Sequence, residues 1–309
     1  MRLVFFGSPV FAVPSLRALL DAGHEMPLVV TQPARPAGRG RPVQSTAVGR
    51  FAAERGLAVW ETASVRGEAA ADRLRSVGAE AMALAAYAAL IPPSVLAIPP
   101  LGILNVHPSL LPRWRGAAPI QSALLAGDTE TGVTIIRLVA AMDAGPVLVQ
   151  ARQPITSEDD YLSLEPTLAE LGAGLLVKAL AGVADGSVRP TAQDEASATY
   201  CRKLEREDGH IDWLRPAVDI ERQVRALRGW PQAFTTWDGR LLKVLRAIAA
   251  PGAAIAAPGA VSSDLGQPTV GTGEGMLRLD EVQLEGKRPI SGSELLRGYP
   301  ALATAYLGT

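Results

Sequence analysis

Hydrophobic and polar positions divide this chain near residue 186. Before that point, short unbroken apolar runs alternate with stretches of helical periodicity. Residues 3–6, 27–30, 57–60, 81–86 and 101–104 form apolar runs, and 132–138 alternates as a strand does. Between them, 15–22, 45–55, 69–77, 94–97 and 117–126 read as helices, two of them stopped by Gly23 and Gly56. Strands buried on both faces by crossover helices need unbroken apolar runs. The alternation therefore predicts an α/β domain, Rossmann-like, with a mostly parallel sheet. Residues 162–184 predict a long helical stretch, broken or shifted near Gly172 and Gly174.

Beyond residue 186 the pattern changes. Residues 187–206 mix Pro, Gln, Asp, Ser and Thr and read as a linker. A helix follows at 220–227, then strand-like runs such as 239–245 and 276–284 between Gly/Pro/Ala loops. That spacing predicts a small β domain of barrel type. The Ala/Gly/Pro-biased stretch 247–260 reads as a surface loop. The expected domains are 1–186 and 207–309.

Composition narrows the function classes. The chain has 309 residues, of which 48% are hydrophobic, enough for two packed cores. A net charge of −1 gives no global pull toward nucleic acid or an anionic membrane. A single cysteine, Cys201, excludes an intramolecular disulfide and leaves no cysteine-based metal site. The chain opens on Met1-Arg2 and a strand-like run rather than a secretory leader. Its longest apolar tract, 81–98, is broken by Pro92 and Pro93. The expected setting is the cytoplasm, with no membrane contact.

The candidate chemistry lies where an apolar run meets a proline-fixed loop. Asn105 and His107 are two residues apart on a strand and therefore share a face. Pro108 and Pro112 then end the strand. An amide and an imidazole side by side on a buried strand need a reason. Stabilising an oxyanion and moving a proton would supply one. A carboxylate is the natural third member, and Asp143 follows the 132–138 strand. Ligands of open α/β sheets bind beyond the carboxyl ends of the strands. If both strands run parallel, Asn105, His107 and Asp143 meet at that edge. By spacing alone, Asp143 reads more readily as a turn former ahead of Gly145.

The loop from Thr31 to Arg41 overhangs the same edge. Arg35, Arg39 and Arg41 in it can grip phosphates, or they form a solvated loop. Pro112-Arg113-Trp114-Arg115-Gly116 is a second basic-aromatic cluster, suited to stacking or phosphate contact. There is no Gly-x-Gly-x-x-Gly after the first strand, no P-loop, no nucleophile elbow and no zinc-type spacing. Neither a dinucleotide nor a metal is expected.

These segments resemble the methionyl-tRNA formyltransferase family along nearly the full length. The resemblance rests on Phe6-Gly7-Ser8-Pro9, on Thr31-Gln32-Pro33 with Arg35-Pro36-Ala37-Gly38-Arg39-Gly40, and on the run from Asn105 to Ile120. It extends to Gly127-Asp128, Met142-Asp143-Ala144-Gly145-Pro146, Ile211-Asp212-Trp213 and Trp230-Pro231. It implies formyl transfer from 10-formyltetrahydrofolate to the α-amine of methionyl initiator tRNA by a monomer. Asn105 and His107 would stabilise the tetrahedral oxyanion, and Asp143 would hold His107 charged or correctly oriented and help remove the amine proton through water. Ser109, Leu110, Leu111 and Pro112 would line the folate pocket. Arg39 would reach the acceptor stem, with Arg35 and Arg41 beside it. The C-terminal domain would be an OB-like barrel that binds tRNA. The catalytic trio alone also suits a sugar-nucleotide formyltransferase or a formyltetrahydrofolate hydrolase; a third reading is a folate- or RNA-binding protein that kept the fold, against which the intact trio weighs. Only the arginine loop and the C-terminal motifs favour tRNA. Two features depart from the family pattern: Ala47-Val48-Gly49 replaces a usual Pro-Val-Lys, and Glu165-Pro166 interrupts a usually Leu-rich stretch.

Overall fold

In the computed structural model, the described residues are 1–36, 43–250, 256–264 and 266–308. The apolar runs become a seven-stranded sheet. Its strands are β1 (Arg2–Gly7), β2 (Glu25–Thr31), β3 (Val59–Glu61), β4 (Ala81–Ala85), β5 (Ile103–His107), β6 (Glu130–Arg137) and β7 (Val147–Pro154). Their order is β7-β6-β5-β4-β1-β2-β3. The five strands β1 to β5 pair in parallel. Leu3, Val4, Phe5 and Phe6 are fully buried, as a central strand covered on both faces requires.

The remaining two strands reverse. β6 is antiparallel to β5, and β7 is antiparallel to β6. The condition that the strands before His107 and Asp143 run parallel is therefore not met. β7 was not expected at all. It is an edge strand in which half-buried and exposed positions alternate after Leu148, so it has no continuous apolar run.

The helices are α1 (Val13–Asp21), α2 (Ala47–Glu54), α3 (Glu68–Val77), α4 (Pro119–Ala126) and α5 (Tyr161–Ala184). The expected break in α5 is absent. A Cβ on Gly172 would stand 2.6 Å from Val106 Cγ1, so this glycine lets the helix lie close on β5. Leu168, Leu176 and Leu180 of α5 are fully buried. Among the described residues, α5 is the helix long and apolar enough to cross a membrane, but here it is a core helix.

The chain forms two compact units. The first comprises Met1–Pro119, Glu130–Pro154 and Glu165–Cys201. The stretch 187–201 is thus no free linker. Thr191 exchanges two 2.8 Å hydrogen bonds with Val147, and Tyr200–Cys201 pairs in parallel with Arg115–Gly116. Its polar side chains resemble a linker's in composition, yet several of them are spent on the first unit.

The second unit comprises Ile120–Thr129, Ile155–Leu164 and Arg202–Thr309. Strands β8 (Ala233–Trp237), β9 (Arg240–Ala250), β10 (Val261–Asp264), β11 (Gln267–Gly271) and β12 (Met276–Leu284) form an antiparallel sheet in the order β8-β9-β12-β11-β10. β13 (Ile290–Ser291) adds to β12. Helix α6 (Ala217–Ala226) and the short α7 (Gly292–Gly298) complete the unit. Its core is built on Trp213, Ile220, Val224, Leu242, Leu279 and Leu302. Residues 155–164 join it because Arg225 donates to the Asp159 carbonyl at 2.8 Å and Arg228 donates to Asp160 at 2.9 Å. The surface loop expected from 247 begins later, since 247–250 still pair with β12.

Candidate active site

Asn105 and His107 occupy the carboxyl half of β5, where both side chains are almost wholly buried, 6% and 4% exposed. Asn105 lies between Leu84 of β4 and Ile136 of β6, and His107 lies opposite Thr134. The chain turns immediately afterwards, with Ser109 N–H donating to the His107 carbonyl at 2.9 Å. Thr134 anchors the turn. Its hydroxyl donates to the Ser109 carbonyl at 2.6 Å and accepts from Leu111 N–H at 3.1 Å. Gln150 of β7 donates to both Thr134 Oγ1 and the Leu111 carbonyl, at 2.7 and 3.0 Å. The two reversed strands thus hold the loop that follows Asn105 and His107.

Both imidazole nitrogens of His107 have a fixed outlook. Nε2–H donates to the Trp114 carbonyl at 2.9 Å, because a carbonyl can only accept. Nδ1 faces Asp143 Oδ1 at 3.7 Å. Burial pushes the imidazole below its ordinary pKa of 6.5. The Asp143 carboxylate and the Trp114 carbonyl pull the other way but do not overcome it. A histidine held charged by Asp143 was one form of the expectation. Here His107 rests neutral, with its proton on Nε2 and a lone pair on Nδ1.

This preference has a consequence for stability. The folded chain takes up the His107 proton less readily than the unfolded chain does. As pH falls through 6.5, the unfolded chain protonates first and stability is lost. Acidification from about pH 7 to about pH 5 is expected to lower the melting temperature of the wild type more than that of His107→Gln. Equal losses in the two proteins would place the acid sensitivity elsewhere.

Asp143 arrives through the β6–β7 loop and not from a strand end. It adopts φ +49°, and its Oδ2 accepts from Gly116 N–H at 2.9 Å. Gly116 has φ +121°, and a Cβ there would stand 2.1 Å from the Cys201 carbonyl oxygen, so only glycine fits. The segment carrying Trp114 and Gly116 is pinned from outside by residues 199–201. Thr199 O accepts from Arg115 N–H at 2.9 Å, Thr199 Oγ1 accepts from Trp114 N–H at 2.9 Å, and Cys201 O accepts from Ala117 N–H at 3.1 Å.

The other expected site residues fare unequally. Ser109 is fully buried and spends its hydroxyl on the Arg113 carbonyl at 2.6 Å. Leu111 is 5% exposed and is core. Leu110 and Pro112 are half-buried and leave surface to offer a ligand. Arg35 is exposed, while Arg39 and Arg41 lie outside the described residues. Arg113 is exposed and stacks its guanidinium 4.2 Å from the Trp114 ring centroid. Arg115, read as a phosphate contact, is 1% exposed. It grips both Glu195 carboxylate oxygens at 2.7 and 2.9 Å and Gln193 Oε1 at 2.9 and 3.0 Å. It is a structural residue. Gln193, Thr134 and Gln150 were missed, because each acts on residues distant in the sequence.

Other polar groups gather at the carboxyl ends of β1 and β2. Ser8 Oγ accepts from Gln32 N–H at 3.1 Å and from Thr31 Oγ1 at 3.3 Å, and Thr31 and Thr46 hydroxyls lie 2.6 Å apart. Val10 and Leu90, in the loops after β1 and β4, are 69% and 66% exposed. Val10, two residues after Ser8, leaves apolar surface open near these polar groups, a combination that suits a small ligand. Among the described residues, no group of three or more His, Cys, Asp or Glu is placed to hold a metal.

Comparison with known proteins gives a consistent picture. Residues 1–180 match the formyl transferase family and residues 203–300 match the formyl transferase C-terminal domain. The methionyl-tRNA formyltransferase of Methylococcus capsulatus is 44% identical over 309 residues, covering 100% of both chains. That of Pseudomonas paraeruginosa is 44% identical over 295 residues, covering 96% of this chain and 95% of its own. Among solved structures, HypX from Aquifex aeolicus in complex with tetrahydrofolic acid superposes with a TM-score of 0.63. Its sequence identity is 19%, and the match covers 96% of this chain and 47% of that one, a likeness of fold.

Proposed function

This chain belongs to the methionyl-tRNA formyltransferase family, and from that premise we propose that it passes the formyl group of 10-formyltetrahydrofolate to the α-amine of methionyl initiator tRNA. The product is N-formylmethionyl-tRNA for translation initiation, made by a monomer in the cytoplasm. The observation that carries the proposal is the convergence of Asn105, His107 and Asp143 with one imidazole nitrogen committed to a carbonyl.

The chemistry follows from that commitment. The neutral amine attacks the formyl carbon, and negative charge develops on the formyl oxygen. The Asn105 amide N–H donates to that oxygen. The attacking nitrogen must shed a proton, and His107 Nδ1 carries the free lone pair that takes it, directly or through a water. A proton acceptor must be neutral at rest, and burial favours the neutral imidazole here. Once protonated, the imidazolium has Asp143 beside it and its charge also favours the oxyanion. Collapse of the tetrahedral intermediate expels the folate nitrogen, which recovers a proton. Leu110 and Pro112, with the loops that carry Val10 and Leu90, are proposed to line the folate site. Arg35, Arg39 and Arg41 are proposed to contact the tRNA backbone, so a chain of net charge −1 would bind tRNA through a local patch.

Purified protein, 10-formyltetrahydrofolate and methionyl initiator tRNA should yield N-formylmethionine. No product above background would remove the proposal. In the same assay, Arg39→Ala should raise the KM for tRNA and reduce the salt slope of tRNA binding by about 1. Folate affinity should be unchanged, and a parallel loss of it would contradict the tRNA assignment.

A further inference from the structure

We infer that Gln193 is a positioning residue for formyl transfer: its amide fixes the backbone of the Asp143 loop, and through it the carboxylate that faces His107. The inference rests on the proposed formyl transfer. Gln193 Nε2 donates to the Asp143 carbonyl and to the Gly145 carbonyl, both at 2.7 Å. Its Oε1 accepts from Arg115 Nε and Nη2 at 3.0 and 2.9 Å. Carbonyls can only accept and a guanidinium can only donate, so the bridging group must donate at one end and accept at the other. A carboxamide meets that condition. A carboxylate would turn an oxygen onto two carbonyl oxygens, and an alkyl side chain would leave three partners unpaired.

The Asp143 loop needs such a hold. Asp143 stands at φ +49°, a conformation that costs a non-glycine residue free energy. At Gly145 a Cβ would lie 1.8 Å from the Arg137 carbonyl oxygen, so the loop is packed backbone against backbone. The Asp143 side chain is anchored through Oδ2 by Gly116 N–H, while Oδ1 stays 3.7 Å from His107 Nδ1. Where Oδ1 points is therefore set by the backbone that Gln193 grips. Gln193 is itself fixed, because Arg115 is clamped on its other side by Glu195.

The test compares Gln193→Glu and Gln193→Leu, each alone and combined with Asp143→Asn, with the wild type assayed alongside. Gln193→Glu keeps an oxygen for Arg115 and loses the donor to the loop. A role confined to holding Arg115 would leave it active, whereas positioning of Asp143 predicts a kcat loss of roughly 10²-fold. The KM for the formyl donor should change little. Each double variant should be no slower than Asp143→Asn alone, since both changes act on one contact. Wild-type kcat in Gln193→Glu, or additive losses in the doubles, would overturn the inference. If Gln193→Leu does not fold, the Gln193→Glu pair carries the same comparison.

A wild type inactive on methionyl-tRNA would instead overturn the proposed function. The positioning role can then be read without turnover, from the His107 imidazole titration followed by NMR. The charged group facing His107 is Asp143, and its other polar partner is the Trp114 carbonyl. Displacing Asp143 in Gln193→Leu should lower the pH at which His107 protonates. An unmoved titration would count against the positioning role.

Discussion

Replacing His107 by alanine lowers kcat for formyl transfer by about 10²-fold or more while the protein remains folded. Two losses combine. The attacking amine no longer has a positioned acceptor for its proton, and the oxyanion no longer has an imidazolium nearby. Asp143 cannot replace the imidazolium, since a carboxylate brings no positive charge to the oxyanion and its Oδ2 is held by Gly116 N–H. The KM for the folate donor should move little, because a side chain only 4% exposed offers small contact area. Single-turnover rates with methionyl-tRNA measure the effect directly. A near-wild-type rate would take His107 out of the mechanism and leave the oxyanion to Asn105.

Arg115→Ala is expected to destabilise the protein by about 2 kcal/mol, through lost packing and a half-buried acceptor left unpaired. The acceptor is Gln193 Oε1, which takes two hydrogen bonds from the guanidinium. The Glu195 side chain is 68% exposed, so water replaces much of what its carboxylate loses, and it adds little to that figure. Thermal melting should show a drop of several degrees. The salt slope of tRNA binding should stay at the wild-type value, because a side chain 1% exposed reaches no phosphate. A reduced slope with unchanged stability would restore the phosphate reading that the arginine's neighbours in the sequence suggest.

The contrast between Arg39 and Arg115 shows what charge in a sequence can convey. Both belong to basic, glycine-bearing stretches of the sequence. Arg115 has its carboxylate and amide partners eighty and seventy-eight residues away. Those partners lie in a stretch whose polar composition looks like a solvated linker. Composition counts polar groups but does not say whether water or protein satisfies them.

The sequence by itself determined the buried strands and the helices between them, because burial on both faces demands unbroken apolar runs. It also placed Asn105 and His107 on one face, because strand periodicity leaves no other choice. The edge strand β7 escaped it, since a strand with one wet face carries a weaker signal. The direction of β6 escaped it for a different reason: pairing direction is not written in a strand's own side chains. The tertiary structure alone decided that Asp143 reaches His107 through a loop held at φ +49°. It alone made His107 neutral, because desolvation depends on everything packed around the ring. And it alone joined Gln193 to Asp143 across fifty residues, a contact that only the folded chain can make.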